Sequence, residues 1–137
     1  GVNYLDSLKA AEEFFEAANA ALKVGGLLLF DISSQYKLEN ILGCNTFAED
    51  EQGGAYIWKN NYDPKSRLIE MNLTFFERQG ELYRRFTERH IQRAHGVDEL
   101  LSALNRAGFD AEAYDFETMD PVKPDSERVQ FSGRKRR

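Results

Sequence analysis

The chain holds a single cysteine, Cys44, and one thiol cannot close an internal disulfide. A fold without that staple must rest on its packed core, and a reducing compartment, the cytoplasm, is the expected setting. Proline is scarce too, with three in 137 residues, so little interrupts regular structure outside Pro64, Pro121 and Pro124. No apolar run is long enough to span a bilayer and the N-terminus lacks a signal-peptide pattern, so no membrane partner is expected. Positive charge is not in excess: 18 Lys and Arg face 23 Asp and Glu, a net −5, which argues against a nucleic-acid partner. The basic end Gly133–Arg137 reads as a solvated tail. There is no Gly-x-Gly-x-x-Gly, no Walker loop and no nucleophile elbow. His90 and His95 have no companions at metal-ligand spacing, so no metal site is expected. Internal repeats and low-complexity segments are absent as well.

What remains is the composition of a globular domain, 42% hydrophobic and 30% charged, at a length that suits one domain. Its organising stretch is Lys23–Ser34, KVGGLLLFDISS. Gly25 and Gly26 stop a helix. Leu27–Phe30 then run apolar without alternation, the pattern of a strand buried on both faces, as in a parallel sheet. Asp31 falls at that strand's carboxyl end, where open α/β sheets bind ligands.

Before this strand, Asp6 or Ser7 N-caps a helix whose stripe is Leu8, Ala11, Phe15, Ala18 and Leu22. After it, Tyr36, Leu38, Ile41 and Leu42 suit a short helix stopped by Gly43. From Thr46 to Arg93 the chain reads as antiparallel strands, with turns at Gly53-Gly54, Asp63–Ser66 and Gln79-Gly80. Ala55–Tyr62, Arg67–Glu77 and Glu81–Arg93 form a three-stranded meander. A four-residue loop at Asp63–Ser66 sets Trp58 against Met71 and Tyr56 against Leu73. A two-residue loop at Gln79-Gly80 sets Leu73 against Phe86 and Met71 against Glu88. Together they place Tyr56, Trp58, Ile69, Met71, Leu73, Phe75 and Phe86 on one face, with Trp58 buried there. Glu70 then meets Arg89, Asn72 meets Thr87 and Thr74 meets Arg85 on the other face. Arg85, Arg89 and Arg93 beside Tyr83 have the elements of a strand for nucleic acid, but the acidic total favours a solvated face.

The helical period returns at Val97, Leu100, Leu101 and Leu104, with Gly96 and Glu99 as a capping box and Gly108 as the stop. Ala111–Glu117 and Glu127–Gly133 read as closing strands around a proline-bearing loop.

These residues resemble a known family. Asn3-Tyr4-Leu5, Leu22–Gly26, Phe30–Ser34, Tyr36–Gly43 (YKLENILG), Tyr56–Asn60, Leu73–Phe76 and Leu82–Phe86 (LYRRF) are similar to runs of class I S-adenosylmethionine-dependent methyltransferases. Among these they look like small bacterial enzymes with an antiparallel insert after strand five. The resemblance covers nearly the whole chain; Val24 stands where the superfamily usually has proline. It implies an α/β fold, α+β when taken alone: the C-terminal half of a Rossmann-like sheet, strands five, seven and six, with strand seven antiparallel in the middle. On that basis residues 1–34 and 95–137 are part of the methyltransferase core, and 35–94 are an inserted meander for substrate binding or dimerisation. The glycine-rich cofactor loop and strands one to four are expected upstream, in a missing N-terminal half, leaving strand five with an exposed edge.

The resemblance further implies S-adenosyl-L-methionine as cofactor and a small-molecule methyl acceptor as partner. Asn3 and Tyr4 are expected near the cofactor's methyl end. Asp31 is expected to act as catalytic base or as anchor for a cationic substrate. Ser33, Tyr36, Trp58 and His90 are the expected acceptor-binding residues. A homodimer through the meander is a further expectation, as is inactivity of these 137 residues alone. The rival reading is a stand-alone, non-catalytic α+β interaction module.

Overall fold

A computed structural model describes all residues from Gly1 to Arg137. A one-turn 3-10 helix, Val2–Tyr4, leads into α1 (Leu8–Ala21), β1 (Leu27–Ser33) and a π-helical turn, Lys37–Leu42. Four strands follow: β2 (Thr46–Glu51), β3 (Gly54–Asp63), β4 (Leu68–Gln79) and β5 (Leu82–Arg93). Then come α2 (Val97–Arg106), β6 (Phe109–Asp115) and β7 (Arg128–Lys135).

The first sheet has the order β1-β7-β6, with β7 antiparallel to both neighbours. This is the expected five-seven-six arrangement. Helix α1 begins where Ser7 Oγ accepts the Ala10 N–H at 3.0 Å. The chain turns after α1 at Gly25, whose φ of 84° is the left-handed conformation that a side chain disfavours. Phe15 of α1, Phe30 and Phe131 stack in sequence, with ring centroids 5.4 and 4.9 Å apart. Ala11, Ile32, Leu100, Leu104, Phe109 and Val129 complete this core.

β1 departs from the expectation of burial on both faces. Leu28, Phe30 and Ile32 pack into or against the core, but Leu27 and Leu29 remain 50% and 62% exposed. The strand is laddered along one edge only, to β7, and its apolar run has core on one side.

The second sheet, β2-β3-β4-β5, has four strands where three were expected. Thr46–Glu51 pairs with β3 from Thr46↔Lys59 to Glu51↔Gly54. Both expected hairpin registers are corrected by two residues. Trp58 faces Leu73 and Tyr56 faces Phe75, because the loop after β3 starts at Pro64. Leu73 faces Glu88 and Met71 faces His90, because the tight turn is Gly80-Glu81. Likewise Asn72 faces Arg89, Thr74 faces Thr87 and Glu70 faces Ile91. A shift of two preserves the side of the sheet on which each residue lies. The seven apolar residues named above therefore do share a face, here called the inner face.

On that face Ile69 and Met71 are buried with Leu38, Leu42 and Ala94 in a second core, flanked by Phe47, Trp58, Tyr62 and Leu73. Trp58 is half-buried rather than buried, its ring 5.4 Å from Phe47. Phe86 stays 37% exposed and stacks on Phe75 at 4.9 Å. Arg93 is not on a solvated face: it is buried at the end of β5.

Candidate active site

The two sheets meet beside the carboxyl end of β1, and one small side chain ties the meeting point together. The Asn3 amide accepts the Ser33 N–H at 2.9 Å and donates to Ser33 O at 3.1 Å and Arg93 O at 3.2 Å. Asn3 is buried, so each of these bonds satisfies a group with little access to water. The residue expected to meet a cofactor thus spends its side chain on backbone, and its effect is to fix the turn that carries Tyr4.

A charged network backs the same seam. His95 is fully buried; its Nε2–H donates to Val2 O at 3.1 Å and Leu5 O at 3.0 Å, and its Nδ1 accepts from Arg93 Nη1 at 2.6 Å. A guanidinium can only donate, so this pattern fixes the neutral tautomer with the proton on Nε2. Burial, then the adjacent Arg93 cation, lower the His95 pKa. Glu99 takes Arg93 at 2.9 Å, pairs with Arg67 and accepts the Gly96 N–H at 2.9 Å. Burial pushes its carboxyl up, yet these hydrogen bonds outweigh burial and its pKa is lowered.

Tyr4, 51% exposed, projects from the tied turn. Its hydroxyl lies 3.2 Å from His90 Nδ1, with the rings edge-on at 6.0 Å. His90 Nε2 lies 3.1 Å from Glu88 Oε2. Two residues expected to act, Tyr4 and His90, are therefore in contact although 86 positions apart. Glu88 was missed; its signal was its position two residues before His90, which places both on one strand face.

Asp31 and Ser33 form a separate group. Arg128 Nη1 donates to Asp31 Oδ2 at 2.6 Å, and its Nη2 reaches Ser33 Oγ at 3.4 Å. Arg128 carried no signal in the sequence, since its approach depends on the pairing Ser33↔Arg128. A carboxylate engaged by a guanidinium is an anchor more readily than a free proton acceptor. Alongside, an open groove of about 430 Å³ is lined by Val2, Leu5, Phe14, Leu29, Phe30 and Asp31. Tyr36 lines a different groove with Gln35, Glu39 and Ser126.

The inner face also carries charge of mainly one sign. Glu49, Glu51 and Glu88 stand on it, and Arg84 is opposite Glu77. Desolvation and the carboxylates of Glu49 and Glu51 raise the Tyr56 pKa. The Trp58 indole N–H and Asn60 Oδ1 make no hydrogen bond within the protein.

No protein-family model matches the chain. It is 32% identical over 98% of its length to "Putative methyltransferase YqeM" of Bacillus subtilis. A solved S-adenosylmethionine-dependent methyltransferase from Clostridium acetobutylicum superposes with a TM-score of 0.91 at 31% identity, over 98% of this chain and 55% of that one. CalS10 of Micromonospora echinaspora, an amino pentose methyltransferase solved with S-adenosylmethionine bound, shares the fold at a TM-score of 0.73 and 16% identity, over 97% of this chain and 54% of that one. The chain spans 55% of the length of the curated relatives it matches. The β1-β7-β6 order, the matches along nearly the whole chain and their half coverage of the relatives agree: the chain belongs with the class I S-adenosylmethionine-dependent methyltransferases and corresponds to the C-terminal part of their fold.

Proposed function

We propose that this chain contributes the acceptor side of a methyltransferase active site, and that the acceptor is an amine of a small molecule. The observation that carries the reading is the tie made by Asn3, which holds Tyr4 between the end of β1 and the inner face of the inserted sheet. Glu49, Glu51 and Glu88 on that face suit a cationic group arriving from solvent. The amino pentose acceptor of CalS10 is of the same chemical kind.

The residues here suit one end of S-adenosyl-L-methionine. The half-exposed Tyr4 ring offers a π face to a cation beside the groove at Leu29 and Asp31. The bound cofactor supplies a methyl group on a positively charged sulfur. The chain's own contribution is orientation: Asp31, held by Arg128 with Ser33 beside it, anchors a cationic group, His90 meets the acceptor next to Tyr4, and Tyr36 and Trp58 extend the acceptor surface along their own groove and sheet face. The glycine-rich loop and the acidic residue for the ribose belong to upstream sequence, the partner half of the same polypeptide. A cytoplasmic setting and a homodimer through the inserted sheet belong to the same reading. So does inactivity of residues 1–137 alone, since the charge-assisted cofactor contacts lie elsewhere.

The test compares these 137 residues with a longer chain carrying the upstream half. Titration of S-adenosylmethionine into the shorter chain is expected to give a dissociation constant in the millimolar range or no binding. The longer chain is expected to bind at micromolar cofactor and to form S-adenosylhomocysteine with small amines. Saturation of the shorter chain at micromolar cofactor would overturn the division of labour. A longer chain that neither binds nor consumes the cofactor would overturn the methyltransferase reading.

A further inference from the structure

We infer that Glu88, His90 and Tyr4 form a proton relay that deprotonates the methyl acceptor; the inference rests on the reading that the acceptor lies against Tyr4.

The direction of the relay follows from which atoms can donate. The Glu88 carboxylate only accepts, so the His90 Nε2 at 3.1 Å carries the hydrogen. Nδ1 of the neutral ring then presents its lone pair to the Tyr4 O–H at 3.2 Å. Tyr4 then donates its O–H to His90 and its oxygen keeps a lone pair able to accept, on a residue 51% exposed. The chain thus has a receiving end at Tyr4 Oη and an outlet at Glu88, whose side chain is 51% exposed.

Its surroundings keep it on task. In the ladder His90 stands opposite Met71, and Met71 opposite Asn60, so no other charge faces the ring across the sheet. The facing ionisable groups are Tyr4 from the 3-10 turn and Glu88 from its own strand. The other acid-base groups nearby are committed elsewhere: Asp31 to Arg128, and His95 to Arg93, Val2 and Leu5.

An amine reaches the site as an ammonium, which has no lone pair to give. Its proton passes to Tyr4 Oη as the Tyr4 proton passes to His90 Nδ1, leaving an imidazolium beside Glu88 and a free amine. The freed lone pair forms the nitrogen–carbon bond to the methyl group. The sulfonium donor loses that methyl and keeps the electron pair of the broken carbon–sulfur bond, as a thioether. His90 then releases its one extra proton to water, and its Nδ1 again accepts from the Tyr4 O–H, which now holds the proton taken from the ammonium. Tyr4 is the residue that takes the proton from substrate; His90, beside it, receives that proton's equivalent through Tyr4, and Glu88 acts through His90.

The first test reads the hydrogen positions without turnover. In nitrogen-15 spectra of the 137-residue chain, His90 is expected as the Nε2–H tautomer, with Nδ1 hydrogen-bonded. Tyr4→Phe should shift the Nδ1 signal and keep the tautomer, and Glu88→Ala should mix the tautomers. An Nδ1–H tautomer in the parent chain, or a His90 spectrum indifferent to Tyr4→Phe, overturns the relay. The second test uses the longer chain with an amine acceptor. Tyr4→Phe and His90→Ala are expected to lower kcat about 100-fold with KM little changed, with added imidazole restoring part of the His90→Ala rate. Turnover with kcat unchanged and KM raised overturns the relay and leaves the methyltransferase reading intact. Absence of any cofactor binding by the parent longer chain overturns that reading, and the relay with it.

Discussion

Arg89 stands opposite Asn72 in the ladder, yet its guanidinium closes diagonally on Glu70, with Nε 2.9 Å from Oε1 and Nη2 3.2 Å from Oε2. The side chain is long enough to choose the charged neighbour over the one directly across. Hydrogen bonds from Arg89, then from Asn72, hold the Glu70 carboxyl at a pKa of about 2. In Arg89→Gln this carboxyl should titrate closer to the ordinary value of about 4.3. Carbon-detected titration of the Glu70 side chain checks this, and a midpoint unmoved by the substitution would refute it. The pair contributes above the ordinary carboxylate range and loses its contribution as pH falls toward 2; salt should weaken it throughout.

His95 predicts a different acid response. Its folded-state pKa is depressed by burial and by Arg93, so the folded chain resists taking up a proton that the unfolded chain accepts near 6.5. Its contribution to stability is complete above that value and is lost as pH falls through the depressed one. Urea unfolding between pH 7.5 and 5 should show this decline. His95→Gln, which keeps a donor toward Val2 O and Leu5 O, should flatten the slope; an equal slope in parent and variant would count against it.

Asn3→Ala leaves the Ser33 N–H and the Ser33 and Arg93 carbonyls without their partner at a buried position. The expected cost is about 3 kcal/mol, in line with unsatisfied buried polar groups. Chemical denaturation measures it, and a loss within about 0.5 kcal/mol, the usual range for surface substitutions, would show that the tie is not needed for folding.

Trp58 separates packing from hydrogen bonding. Its ring contacts the second core and Phe47, so Trp58→Ala should cost about 2–3 kcal/mol, less than for a fully buried tryptophan. The indole N–H has no protein partner, so Trp58→Phe should stay within about 1 kcal/mol of the parent. A Phe variant as unstable as the Ala variant would refute that.

Side-chain patterns announced sides of elements more reliably than lengths of turns. Alternation along β3, β4 and β5 was strong enough that an error of two residues in each hairpin left every residue on its proper face. Turn boundaries were weaker, because Asp63 and Gln79 look like turn residues and instead close their ladders. β2 went unseen as a strand because, apart from Phe47, its residues are exposed and three of the last four are acidic. Tyr4, His90, Asp31 and Ser33 could be named from the sequence as candidates, but which side chain the structure sets beside each could not. Arg128 reaches Asp31 across 97 positions, and Tyr4 reaches His90 across 86. Neither meeting leaves a local trace in one sequence.

β1 offers seven residues of main chain laddered along one edge only, with Leu27 and Leu29 exposed on the face away from the core. Such an edge accepts a strand from another polypeptide as readily as from its own. The free edge of β1 is therefore where main-chain hydrogen bonds from a further strand can extend this sheet, whichever polypeptide brings that strand.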